Sequence, residues 1–138
     1  MPAPRPAAAL VAGAALALGG CGSKSDEDRV KDTVKSFLAA AADGDGKKAC
    51  GLTDAAGRRR LEKAAGGRVG CERVIAVFAQ RLPANVKTGL RSVEVGRVRI
   101  EGDRATVTDL RQSKGGTLPS GTPIVLAKHG GDWKVSGD

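Results

Sequence analysis

An α+β fold is predicted by two periodicities and the place where one replaces the other. Between residues 26 and 82 apolar side chains recur three and four apart, the repeat of helices with one buried face. After Pro83 they alternate with polar residues every second position, the repeat of half-buried strands. The short turns "EGD" and "HGGD" join alternating runs, which makes neighbouring strands antiparallel. Helices first and a meander afterwards is an α+β order rather than an alternating α/β one.

The elements follow in turn. "DEDRVKDTVKSFLAAAAD", residues 26 to 43, places Val30, Val34, Phe37, Leu38 and Ala41 on one helical face. Ser25 with Asp28 three positions later resembles a capping box, and Gly44 and Gly46 stop the helix. A short second helix around Lys47 to Leu52 carries Cys50. Thr53 is the expected cap of a third, "DAAGRRRLEKAA", which Gly66 and Gly67 end. A fourth, Cys71 to Leu82, is expected to bury Val74, Ile75, Phe78 and Leu82 before Pro83 terminates it. In "SVEVGRVRI" the alternation runs Val93, Val95, then Val98, Ile100. The parity slips at Gly96, which suggests a β-bulge. "RATVTDL" is the returning strand, "TPIVLAK" a third and "DWKVS" a fourth. Residues 111 to 123, rich in Gly, Ser and Pro, read as one long surface loop.

The first twenty residues are of another kind. They carry one charge, Arg5, and from Ala7 to Leu18 every residue is Ala, Leu, Val or Gly. That run is short of the ~20 residues a spanning helix needs and suits the apolar core of an export signal. It closes on "LGGC", residues 18 to 21, which resembles the lipobox of bacterial lipoproteins. The resemblance implies a diacylglyceryl group on the Cys21 thiol and cleavage before it. The protein would then sit on the extracytoplasmic face of the cell membrane, held by its own lipid. Two acyl chains anchor stably where one does not. The domain plan is a signal at 1–20, a lipidated Cys and short tether at 21–25, and one domain at 26–138.

Three cysteines in an exported chain leave an odd one to explain. With Cys21 lipidated, Cys50 and Cys71 remain and can pair, since thiols oxidise outside the cytosol. The mature chain would hold 118 residues, one domain's worth, with 22 basic and 15 acidic residues for a formal charge of +7. Such charge favours an anionic lipid surface. Nucleic acid is not the expected partner. The chain has no Tyr, and only Phe37, Phe78 and Trp133 for base stacking.

"VKSFLAAAADGDGKKACGLT", "RRRLEKAAGG", "GCERV", "VRIEGDRATV" and "GGDWKVSGD" together are similar to the NTF2-like lipoproteins of high-G+C Gram-positive bacteria. The resemblance spans about residues 26 to 137. It implies a cone of helices on a curved antiparallel sheet, a fold that often encloses a pocket. The expected walls are Val30, Val34, Phe37 and Leu38 on the first helix, facing Val107, Val125 and Trp133 on the sheet. The expected role is a non-catalytic module that holds a small apolar ligand or docks on an envelope protein, with no cofactor. A structural homodimer pairing through the exposed sheet face is one alternative.

An enzyme of isomerase, dehydratase or hydrolase type is the other, with Asp109 as its base. Ketosteroid isomerase, of this fold, pairs an Asp base with a Tyr donor, and this chain has no Tyr. His129 lies in a turn, where histidines are usually solvated. "DGDGKK", residues 43 to 48, puts Lys47 and Lys48 where a calcium loop needs oxygens. One His and no C-x-x-C leave no convincing zinc set. The "RRR" at 58 to 60 reads as a solvated helix face.

Overall fold

The computed structural model describes residues 24–112, 121 and 123–137. The segment expected to be a signal, Cys21 and most of the long loop expected at 111–123 lie outside the described residues. Five helices precede six strands: α1 (Asp26–Asp43), α2 (Gly46–Gly51), α3 (Ala55–Ala64), α4 (Cys71–Arg81), α5 (Ala84–Arg91), β1 (Val93–Val95), β2 (Val98–Glu101), β3 (Arg104–Val107), β4 (Leu110–Gln112), β5 (Ile124–His129) and β6 (Asp132–Val135). All strand pairs are antiparallel, so the fold is α+β.

Helix α1 has the bounds its sequence predicts. The Ser25 hydroxyl accepts the Asp28 amide at its start, and Gly44, at φ 73°, ends it in a left-handed turn. Gly46 does not stop a helix but opens α2. A Cβ there would press on the backbone of Glu72, so only glycine lets α2 approach α4 this closely. Asp54 caps α3 in place of Thr53. Thr53 is buried instead, its hydroxyl donating to the Ala49 carbonyl while its backbone bridges Val135. Helix α5 has no counterpart in the sequence reading. Pro83 ends α4 and stands as the cap of α5, because a proline is tolerated where helical amides have no partner anyway.

The strands differ from expectation at Gly96. Val98 pairs with Val107 and Val95 with Leu110 in one unbroken register. A bulge would add a residue to one strand and shift that register; none is added. Instead the ladder breaks on both strands and the ribbon turns over. Val93 and Val95 face the core on one side of the break, and Val98, Ala105 and Val107 on the other. One long hairpin thus contributes two strands to each of two sheets, β1–β4 and β2–β3–β5–β6.

Helix α1 lies across the core face. Val30, Val34, Leu38 and Ala42 pack with Leu90, Val93, Val95, Ala105, Val107, Leu126 and Trp133. A second, smaller cluster joins α1, α2 and α4 through Ala40, Ala41, Ala49, Cys50, Cys71 and Ile75.

Candidate functional site

The residues expected to wall a pocket inside the cone are packed against one another. Val34 and Val107 are almost wholly buried in the main core with Val30 and Leu126, and Trp133 is 3% exposed. Trp133 donates its indole N–H to Asp26 at 3.0 Å. Lys128 reaches the same carboxylate and stands over the indole ring. These contacts pin the start of α1 to the β5–β6 hairpin. They hold the Asp26 carboxyl below the usual range, the indole hydrogen bond first and Lys128 second.

Val125 is misplaced in the expected set. It pairs with Thr106, while Leu126 pairs with Ala105. Neighbouring residues of a strand point to opposite faces, so Leu126 looks into the core and Val125 away from it. The outer sheet face carries Arg99, Glu101, Arg104, Thr106, Val125, Ala127 and Lys134. Its mixed charges and small side chains offer no broad apolar patch for a second copy.

Asp109 stands at the hairpin's break. Its carbonyl accepts the Gly96 amide at 2.8 Å. Its carboxylate takes Arg111 at 2.8 Å and occupies the space a Cβ on Gly96 would need. The Arg111 hydrogen bond leads in holding its pKa down, with the Arg97 amide assisting. A base with two committed partners is poorly suited to taking a proton from carbon. His129 is exposed and meets Asp54 at 3.1 Å. Burial disfavours the Asp54 charge, but the Gly57 amide first, then Ser136 and His129, outweigh it and keep the carboxyl low. Among the described residues no group of three or more His, Cys, Asp and Glu is placed to hold a metal ion. No helix among them is long and apolar enough to cross a membrane.

Cys50 and Cys71 are joined, with Cα atoms 6.1 Å apart. The bridge ties α2 to the first residue of α4. Glu62 of α3 accepts the Cys71 amide at 2.9 Å, so three helices converge there. The RRR run is exposed as expected, yet Arg58 donates to the Cys50 carbonyl and Arg60 to that of Gly137.

The open site lies on the helical side. A groove of about 680 Å³ runs between α1, α3 and α4. Phe37, Leu38 and Ala41 form its floor, Leu61, Ala64 and Ala65 one wall, and Val74, Val77 and Phe78 the other. Its volume falls within the range of small-molecule sites. Phe37 and Leu38 therefore line this groove, while Leu38 also packs with the sheet residues of the main core and Phe37 against them. Phe78, expected in the core, is 43% exposed, and Val69 40%. The buried stripe of α4 is Cys71, Ile75 and Ala79, and Val74 and Phe78 sit beside it on a second apolar face. The opposite wall is mostly alanine, whose methyl groups leave the space unfilled. The signal was present in the sequence. "VIAVFA", residues 74 to 79, is apolar over a wider arc than one packing face uses.

Beside the cystine lies a second hollow of about 590 Å³, lined by Lys47, Arg58, Glu72 and Arg73 among others. Compared with family models, with curated proteins and with solved structures, the chain matches none.

Proposed function

We propose that this protein is a lipid-anchored, extracytoplasmic binding module with an NTF2-like domain, and that it holds a small apolar ligand in the groove between α1, α3 and α4. The observation that carries the reading is Phe78 and Val69 standing in solvent along an apolar trough. Exposed apolar surface of that kind marks a binding site on a soluble domain. The lipobox-like "LGGC" supports the anchor, and the cystine fits an oxidising compartment. The four residues between Cys21 and α1 span at most ~14 Å. Phe37 lies twelve residues beyond Ser25, roughly 18 Å along the helix. The groove would thus stand clear of the headgroups while the domain stays close to the bilayer. The committed hydrogen bonds of Asp109 weigh against the enzyme reading.

Calorimetric titration with dodecanol tests the groove, using the full oxidised chain with Cys21→Ser so that no lipid of its own competes. Saturable binding is expected, and loss of it in Phe78→Asp, a change at a partly exposed position outside the buried core. Binding untouched by Phe78→Asp rejects the groove. Incorporation of labelled fatty acid by the parent but not by Cys21→Ala tests the anchor, and equal labelling of both rejects it.

A further inference from the structure

The charges around the groove are one-sided. Arg73 and Arg81, eight residues apart on α4, are the charged side chains that line it, and no carboxylate does among the described residues. Arg73 also lines the hollow beside the cystine. The two cavities therefore share one residue, Arg73. In that hollow Lys47, Arg58 and Arg73 face a single carboxylate, Glu72. Arg58 spends one N–H on the Cys50 carbonyl, which fixes its position and keeps its charge. Among the described residues neither Arg73 nor Arg81 forms an ion pair.

We infer that the ligand is a single-chain amphiphile with an anionic head: the chain lies along Leu61, Val74 and Phe78, and the head rests on Arg73 with Lys47 and Arg58 beside it. The inference rests on the groove being a ligand site and adds the chemistry of what enters. A planar guanidinium matches the paired oxygens of a carboxylate or phosphate. A cationic head would meet three like charges across one. A neutral chain would gain the apolar contacts alone. The bridge and the Glu62 contact hold the start of α4, so the backbone that carries Arg73 is in place before any ligand arrives.

Four probes share one twelve-carbon chain: laurate, dodecyl phosphate, dodecanol and dodecyltrimethylammonium. Each is titrated below its micelle threshold, or for dodecanol below its solubility limit, into the full oxidised chain with Cys21→Ser. Laurate, dodecyl phosphate or both should bind roughly tenfold or more tighter than the ammonium, the scale of a charge-assisted hydrogen bond. Tight binding of laurate alone assigns a carboxylate head, of the phosphate alone a phosphate. In Arg73→Gln the anion preference over dodecanol should fall close to one, while Arg59→Gln, on neither cavity, should keep it. Equal affinity for all four probes would overturn the head assignment and leave the apolar groove standing. A preference that survives Arg73→Gln would place the head elsewhere and equally overturn it. Binding of none removes the groove as a ligand site as well. Should sedimentation of the same samples show dimers that Phe78→Asp dissolves, with no probe bound, the groove belongs to a second copy and the inference fails.

Discussion

Removing the Cys50–Cys71 bridge tests what holds the helical layer together. The cluster around it contains Ala40, Ala41, Ala49 and Ile75, so only one large aliphatic side chain is buried there. Hydrophobic burial scales with apolar area, and alanines supply little. The bridge spans 21 positions. In the chain-entropy model a loop of that size stabilises by about 3 kcal/mol, by restricting the unfolded chain. For a domain of this length 1 kcal/mol moves the thermal midpoint by roughly 4 °C, so the midpoint should fall by roughly 12–15 °C. The perturbation is the double variant Cys50→Ala/Cys71→Ala, which leaves no lone thiol. The assay is calorimetry of the full chain in both forms, with the reduced parent as a third sample. Both sulfurs are nearly buried, so lost packing adds to the effect. A fall of less than about 4 °C would refute the claim that the cystine supplies this layer's cohesion.

Leu126→Ala should cost about 3–5 kcal/mol, and Val125→Ala about 1 kcal/mol or less, since only the first empties core space; comparable losses in urea titrations would put Val125 back in the core. Gly96→Ala should destabilise by about 1–2 kcal/mol because the new Cβ displaces the Asp109 carboxylate, and most of that cost should vanish in an Asp109→Ala background. An additive double-mutant cycle would refute that coupling. Asp26, Asp54 and Asp109 all have carboxyls held below 3.8. Depressed folded-state values give stability that is complete above the unfolded value and is lost as pH falls through the folded one. Stability should therefore drop as pH goes below about 3.8, and Asp26→Asn should flatten that part of the curve; an unchanged acid limb would show that the Trp133–Lys128 clamp contributes nothing.

Periodicity made α1 legible to the residue, because one element carried both a clean apolar stripe and strong caps at Ser25 and Gly44. It also separated a helical half from a strand half, but it set the change at Pro83, one helix too early. What it misread were positions where two partners compete for one residue. Pro83 ends one helix and begins another, and a reading that looks only for terminators finds the first event. Thr53 and Asp54 are both good caps; the sheet edge takes Thr53, so Asp54 caps. The parity slip at Gly96 was visible, but its cause was not. A bulge and a ribbon that turns over leave the same trace in one strand. Only the partner strand distinguishes them, through Leu110 still facing Val95. The Val125 error has the same origin. "IVLA" is apolar at every position, so its inward parity is fixed by pairing with Ala105 and not by its own pattern.

The groove follows from that limit in a different way. Helix α4 has more apolar circumference than its neighbours cover, and α3 brings mainly methyl groups to the uncovered side. A helix in that position would ordinarily rotate or slide to bury Phe78. Here it cannot. Cys71 is bonded to α2, its amide is held by Glu62, and Gly46 lets α2 press against the backbone at Glu72. Three constraints at one end of an eleven-residue helix fix its rotation and leave the apolar face open. A groove held open by covalent geometry would need no ordering to take up a ligand, and avoided ordering is affinity retained. The same staple that compensates for a thin helical core thus preserves the trough, and it sets Arg73 at the junction of the two cavities.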